Sequence, residues 1–227
     1  MNGILGFMDL LKKQTYTYKE LKQFSSLIER SGRRLIDTIN DLLKMAQLKS
    51  GTYPVHLEPV FTSDLVRMLA RKYERSFRRK GISFAWEVRD DSDRKRLFLS
   101  DPEILSSIVH HLLENALQFT PRGGSTGLML RKEDASIEVT VRDTGIGIPK
   151  EKHQLVFNCF SKADNRLDSG IQGCGVGLSI SKAMVDLLGG RIWFESEEGK
   201  GSIFYVAVPE AREVSSMPTA NKMEKVS

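Results

Sequence analysis

Apolar residues repeat with a helical period over the first fifty positions, and after that helical and strand periods alternate. The opening stretch predicts two helices. The first carries Ile4, Leu5, Phe7, Met8, Leu10 and Leu11, and a break falls around Gln14 to Tyr18. The second has a heptad stripe of Leu21, Ile28, Leu35 and Leu42, with Phe24, Ile39 and Met45 beside it. Lys22, Arg30, Arg33 and Asp37 fill the opposite face, while Leu27, Ile36, Leu43 and Leu48 widen the apolar surface beyond a thin seam. A surface this wide favours a four-helix bundle, hence a dimer of hairpins, over packing onto the rest of the same chain. Ser50-Gly51, followed by Pro54, stops the helix.

Downstream, Val55 to Val60 reads as an edge strand, and Thr62 or Ser63 caps a helix through Leu65, Val66, Leu69, Tyr73 and Phe77 that ends at Gly81. Strands follow at Ile82 to Val88 and Arg96 to Leu99, with a charged turn from Arg89 to Lys95. Asp101 as cap and Pro102 as first helical residue open a helix that runs to about Phe119. Its core stripe is Leu105, Ile108, Val109, Leu112, Leu113 and Ala116; His111, Asn115 and Gln118 share another face. Gly127 to Arg131 and Ser136 to Arg142 are strands around a turn at Glu133-Asp134. Residues Ser161 to Gln172 are polar and aperiodic and read as a mobile loop. A helix opens at Gly173 to Leu178 and ends at Gly189-Gly190, before a hairpin of Arg191 to Ser196 and Ser202 to Val208. Beyond Glu210 the chain is polar, a flexible tail or linker. Strands and helices in this order predict an α+β sandwich with helices on one side of an antiparallel or mixed sheet.

Composition narrows the class. The chain has 227 residues, 40% hydrophobic, so it can bury a core. There is no run of eighteen apolar residues and no signal-peptide pattern. Cys159 and Cys174 have no metal-ligand spacing and fit a reducing compartment. The net charge of +5 is modest. Basic clusters at Arg71-Lys72, Arg75, Arg78-Arg79-Lys80 and Arg94-Lys95-Arg96 lie among acids without aromatic interleaving, so they read as solvated faces and not as a nucleic-acid site.

Chemistry concentrates in three stretches. The strand ending at Arg142 delivers Asp143, then Thr144-Gly145-Ile146-Gly147-Ile148-Pro149. A fixed carboxylate beside a glycine loop suits a planar ligand with an amino group, such as adenine; alone, it fits an Asx turn equally well. About thirty residues later, Gly173, Gly175 and Gly177 open directly into a helix, whose free N–H groups and dipole favour anions. The pair of glycine stretches makes a simple turn improbable. Asn115, a poor mid-helix residue, offers a carbonyl oxygen for Mg²⁺, whereas the His111 imidazole suits that ion poorly.

Asn115 to Thr120, Asp143 to Gly147, Phe157 with Phe160, and Gly173 to Leu178 together resemble the N, G1, F and G2 boxes of sensor histidine kinases, in family order. The resemblance covers nearly the whole chain: residues 2–50 resemble kinase dimerisation helices, and 55–209 the ATP-binding domain of the gyrase, chaperone and mismatch-repair ATPases. It implies residues 1–50 as a helical hairpin that dimerises into a four-helix bundle, 51–209 as a two-layer α/β ATP-binding sandwich, and 210–227 as tail. By the same resemblance, Asp143 with Thr144 would receive the adenine amino group, and Gly145 and Gly147 would shape the pocket. Asn115 would ligate Mg²⁺, with His111 the weaker metal candidate. Gly173, Gly175, Val176, Gly177 and Leu178 would line the phosphates, Phe157 and Phe160 would anchor a lid, and Lys162 or Arg166 would reach phosphate.

The sequence departs from the family at His111, where Asn is usual, and at Gln118, where Lys is frequent. It also begins at Met1-Asn2-Gly3, just past the family's phospho-accepting histidine, and His56, His110, His111 and His153 lie outside the first helix. The expectation is therefore an ATP- and Mg²⁺-binding kinase core that cannot label itself, with no catalytic acceptor of its own. Its partners would be a second copy through residues 1–50 and a response-regulator receiver domain. Neither nucleic acid nor membrane would be contacted by this stretch, and its location would be cytoplasmic, whatever anchor the full-length protein carries. A dimeric scaffold with a degenerate nucleotide site is the alternative, and a hydrolytic ATPase a third reading.

Overall fold

The computed structural model describes residues 17–90, 97–132, 135–159 and 175–211. Outside them fall the first expected helix, the turn at Glu133-Asp134, the loop of Ser161 to Gln172 and the tail from 212 onward.

The N-terminal element is helix α1, Tyr18–Ser50, 33 residues long and so about 50 Å from end to end. Its start is a capping box: Glu20 N–H donates to Thr17 Oγ1 at 3.4 Å and Thr17 N–H to Glu20 Oε2 at 2.8 Å. Its end is Gly51 in the left-handed conformation, φ 68°. The stop at Gly51 is the one the sequence predicts, and Thr17 of the capping box falls within the break expected around Gln14 to Tyr18. Leu21, Leu35, Ile36, Ile39, Leu42 and Leu43 remain exposed along the helix. Toward the C-terminal end α1 meets the sandwich: Met45 enters the core, Leu48 packs against it, and the helix contacts α4 (Gly177–Leu187).

After α1 come β1 (Glu58–Val60), α2 (Thr62–Lys80), β2 (Ser83–Asp90), β3 (Phe98–Ser100), α3 (Pro102–Phe119), β4 (Ser125–Lys132) and β5 (Ser136–Asp143). A 3₁₀ turn (Lys150–Leu155), α4, β6 (Arg191–Glu197) and β7 (Gly201–Pro209) follow. The main sheet has the order β2-β4-β5-β7-β6; β2 and β4 are parallel and the other pairs antiparallel. β1 and β3 form a separate antiparallel pair. Alternation along the strands sends Leu128, Leu130, Val139, Val141, Phe204 and Val206 inward against the helices. The opposite face carries Trp193 stacked on Tyr205, with ring centroids 5.2 Å apart and Arg191 over the indole.

Two expectations about α2 and β1 need correction. β1 is confined to Glu58–Val60 rather than starting at Val55. Helix α2 begins with Phe61 in the cap position and no side-chain cap bond, and Thr62 is buried inside the first turn, so neither Thr62 nor Ser63 serves as the cap. Burial of the turn outweighs the local capping preference. α3, in contrast, starts as expected: Asp101 Oδ1 accepts from the N–H groups of Glu103 (2.9 Å) and Ile104 (3.0 Å). The second oxygen, Oδ2, accepts from His56 N–H at 2.7 Å, which ties the linker to the helix start.

Candidate nucleotide-binding site

Strand β5 ends by presenting Asp143 at the junction of three elements. Its side chain is buried, and Oδ1 accepts the Gly145 N–H at 2.7 Å. Burial raises the carboxyl above the ordinary Asp range, while the backbone N–H groups of Gly145 and Ser202 pull it partly back. The Asx turn open at sequence level therefore exists, yet it is embedded in a larger corner.

The glycines after Asp143 are demanded by close approach. A Cβ on Gly145 would lie 2.7 Å from the Phe119 carbonyl at the end of α3. Gly147 has φ 66°, and a Cβ there would lie 2.0 Å from the Glu197 carbonyl. The loop is thus wedged between the last turn of α3 and the β6–β7 turn. Ile146 N–H donates to Phe119 O (3.3 Å), Gly199 N–H to Ile146 O (2.8 Å) and Ile148 N–H to Ser196 Oγ (2.8 Å). Thr144 Oγ1 accepts from Ser125 N–H at 2.9 Å, which fixes the loop to β4.

In the sequence, Gly201 reads only as part of the hairpin turn Glu197 to Gly201, but it belongs to this corner. Its φ is 107° and a Cβ would lie 2.1 Å from the Asp143 carbonyl. The available signal was the paired Gly199 and Gly201, which a simple two-stranded turn does not require. Ser196 was likewise unmarked: besides accepting from Ile148, its hydroxyl donates to Gly201 O at 3.0 Å.

Asn115 lies one turn before Phe119 on α3, and its amide nitrogen is buried with no partner among the described residues. A buried amide left unpaired is costly, so the side chain fits a site completed by a bound group. The amide oxygen is the atom suited to Mg²⁺, and a half-turn of the amide exchanges oxygen and nitrogen without moving the rest. Asn115 therefore fits the implied ion. Gln118 is half-buried beside it, and its backbone carbonyl, with that of Leu117, accepts from Lys80 Nζ at 2.9 and 2.6 Å. Lys80 of α2 thereby supplies the cation that the C-terminus of α3 lacks in its own last turn.

His111 faces α4 instead. Its Nδ1 hydrogen-bonds Ser181 Oγ at 3.0 Å, and its ring packs against Gly177, 3.6 Å from where a Cβ would stand. Burial, then His110 and Lys44, hold its pKa down to about 3, so the imidazole is neutral and bridges two helices. His110, given no role from sequence, bonds the Tyr73 hydroxyl. That hydroxyl donates to Glu114 Oε1 at 2.7 Å, so His110 Nδ1–H donates to the tyrosine oxygen. Burial first and Glu114 second push the phenol far above its usual range. Glu114 is thus tethered to α2 and is not a free surface charge.

At the start of α4, Gly175 has φ 68° and Val176 is buried in the cap position without a side-chain cap bond. Among the described residues no side-chain cap bond is set against the first N–H groups of this helix, the arrangement that suits an anion. Leu178 packs against the core, and Phe157 meets Phe194 edge-on at 5.8 Å. Phe160, Lys162, Arg166 and Gly173 lie outside the described residues.

Residues 100–212 match the family described as histidine kinase-, DNA gyrase B-, and HSP90-like ATPase. The autoinducer 2 sensor kinase/phosphatase LuxQ of Vibrio vulnificus is 32% identical over 234 residues, which is 100% of this chain and 27% of that protein. The chain belongs to this ATPase family, on its sensor histidine kinase side. It spans about a quarter of the length of the curated relatives it matches. Among solved histidine kinases, full-length ShkA in complex with AMPPNP superposes with a TM-score of 0.72 at 29% identity, covering 92% of this chain and 43% of that one. ThkA in complex with the response regulator TrrA has the same fold, with a TM-score of 0.70 at 22% identity, covering 92% of this chain and 57% of that one. Asn115 lies on α3, Asp143 ends β5 and Gly177 opens α4, so three of the stretches that carry the resemblance meet around one end of the sandwich.

Proposed function

We propose that this chain is the ATP-binding core of a sensor histidine kinase, and that its corner at Asp143 receives the adenine amino group. The observation that carries this is a buried carboxylate in a loop where Gly145 and Gly147 leave no room for side chains. Asp143, with Thr144 holding the loop to β4, reads the base. Asn115 would hold Mg²⁺, which when bound neutralises phosphate charge. Gly173, Gly175 and Gly177, with Val176 and Leu178, form the phosphate side. Phe157 and Phe160 seat the lid, and Lys162 reaches phosphate. His111 is assigned to packing rather than to metal, because its neutral ring is held between α3 and α4.

Within this reading the γ-phosphoryl goes to a histidine other than the four in this chain, and from there to a response-regulator aspartate. None of those four lies on α1. The division into residues 1–50 for dimerisation, 51–209 for ATP binding and 210–227 as tail or linker belongs to the same proposal. So do pairing of two copies through α1, whose apolar stripe is exposed, and a cytoplasmic location. Among the described residues no helix is long and apolar enough to cross a membrane.

Calorimetric titration with ATP and Mg²⁺ tests the corner. Wild type is expected to bind, and Asp143→Asn to lose about tenfold or more, since an amide in place of the buried acceptor leaves a polar group mismatched. Equal affinity in the two proteins would remove Asp143 from the base-reading role. The departure at His111 favours a second reading, a dimeric scaffold with a weakened site. Supplying ATP and a helical fragment bearing an acceptor histidine separates the two: labelled fragment means kinase, and intact dimer without label means scaffold.

A further inference from the structure

Helix α2 concentrates on one outer face the cations that the sequence scattered among acids. Arg67, Arg71, Arg75 and Arg78 follow one another at spacings of four, four and three, with Lys72 and Arg79 alongside. The stripe from Arg67 to Arg79 is about 18 Å long. The helix contains two acids, and together they neutralise only the N-terminal end of the stripe. Asp64 takes Arg67 at 3.2 Å, and Glu74 accepts the Trp86 Nε1–H at 2.9 Å. Among the described residues, Arg71, Lys72, Arg75, Arg78 and Arg79 form no ion pair, and all five are exposed. Like charges one turn apart destabilise a helix, so an anionic partner would relieve repulsion already present in the free protein.

An apolar element sits within this charge. Met68 is 60% exposed at the N-terminal end of the stripe. It lines a groove between α2 and the first turns of α3, with Leu65, Pro102, Glu103, Ser106 and Ser107, so the groove itself takes the apolar side chain and the carboxylates lie toward the arginines. The same methionine borders a depression formed with Asp64, Arg67 and Arg71, where Arg71 is the cation left without an ion pair among the described residues. We infer that the outer face of α2 is a docking surface for an acidic segment of a partner protein, with carboxylates on the arginine stripe and an apolar side chain against Met68. A lipid surface fits less well, because the apolar face of α2 is spent in the core through Val66, Leu69, Ala70, Tyr73 and Phe77. A nucleic acid fits less well, because no aromatic ring accompanies the exposed cations for base stacking. The surface is independent of the nucleotide site, so either assignment can fail alone.

A fluorescently labelled peptide of repeated Glu-Glu-Leu units, followed by anisotropy, tests the inference. Binding is expected to weaken about tenfold in the pair Arg71→Glu and Arg75→Glu, and about threefold in Met68→Ser. Binding should be unchanged in the matched reversals Arg142→Glu and Lys150→Glu elsewhere on the surface. Retained ATP binding by each variant checks that it folds. The inference is overturned if the α2 reversal has no effect, or if the distant reversals weaken binding equally. It is also overturned if Met68→Ser leaves peptide affinity untouched, or if phosphatidylserine vesicles or a single-stranded oligonucleotide compete at lower charge concentration than the peptide.

Discussion

Leucines of one type meet opposite fates in two parts of this chain. On α3, Leu112 and Leu113 are 0% exposed; on α1, Leu43 is 59% exposed and Leu35 48%. The sandwich closes its core with its own helices, while α1 carries a comparable apolar stripe that no other described element covers. A helix gains most of its stability from packing an amphipathic face. The fold of the sandwich is therefore set by burial among the described residues, and that of most of α1 by contacts beyond them. The exposed stripe, anchored among the described residues at Met45 and Leu48, is the surface on which the proposed pairing of two copies rests.

Truncation sharpens this contrast most strongly. Leu112→Ala should destabilise the sandwich by about 2–5 kcal/mol, because it leaves a cavity in a packed core. Leu43→Ala should leave the unfolding of the sandwich within about 0.5 kcal/mol of wild type. The α1 change should act on assembly instead, and Leu35→Asp with Leu42→Asp should give a monomer in light scattering. Equal thermal destabilisation by Leu112→Ala and Leu43→Ala would erase the distinction between the regions.

The next effect lies within the sandwich, at the corner that packs as tightly as a core while serving a ligand. Gly147→Ala places a Cβ on the Glu197 carbonyl at a positive φ. The loop must shift from the β6–β7 turn, and ATP affinity should fall at least about tenfold, while α1-mediated assembly is retained. Gly199, with open space around its missing Cβ, provides the control: at φ 78° its change to Ala strains the turn but touches no neighbour, so nucleotide binding should survive.

How much of this was legible depends on whether a residue's reason is local. The start of α3 was, because Asp101 and Pro102 cap the helix by themselves, and so was β5, whose alternation is uninterrupted. The Asp143 loop was recognisable from its two glycines. What sets those glycines was not, since their constraints come from Phe119 and Glu197, distant in sequence. Gly201 was read as turn chemistry for the same reason. Tyr73 looked like one more apolar position on α2; its link to His110 and Glu114 depends on how α2 lies on α3. The misassigned cap at Thr62 is a local rule overridden by burial. His111 was legible as a departure from the family pattern but not as a bridge, because Ser181 lies seventy positions away.

The smallest effect concerns that bridge, where α1 and the sandwich meet electrostatically. His111 is held neutral by burial, with His110 and Lys44 of α1 adding to the depression of its pKa from 6.5 to about 3. In the unfolded chain the imidazole protonates near 6.5, whereas in the folded chain it does not until about 3. The unfolded state then binds more protons, so stability must fall as pH drops through that window. From about pH 7 to about pH 5.5 the loss should be roughly 1 kcal/mol. His110, also depressed chiefly by burial, adds a slope of the same sign. Asp143 works oppositely at the acid end, because its raised carboxyl favours the folded state once it is protonated. Denaturant midpoints for wild type and His111→Asn, measured across this range, isolate the term. The variant should show a shallower acid slope while retaining a polar partner for Ser181. Identical slopes would mean that the ring is solvated and that α3 and α4 are not joined through a neutral imidazole.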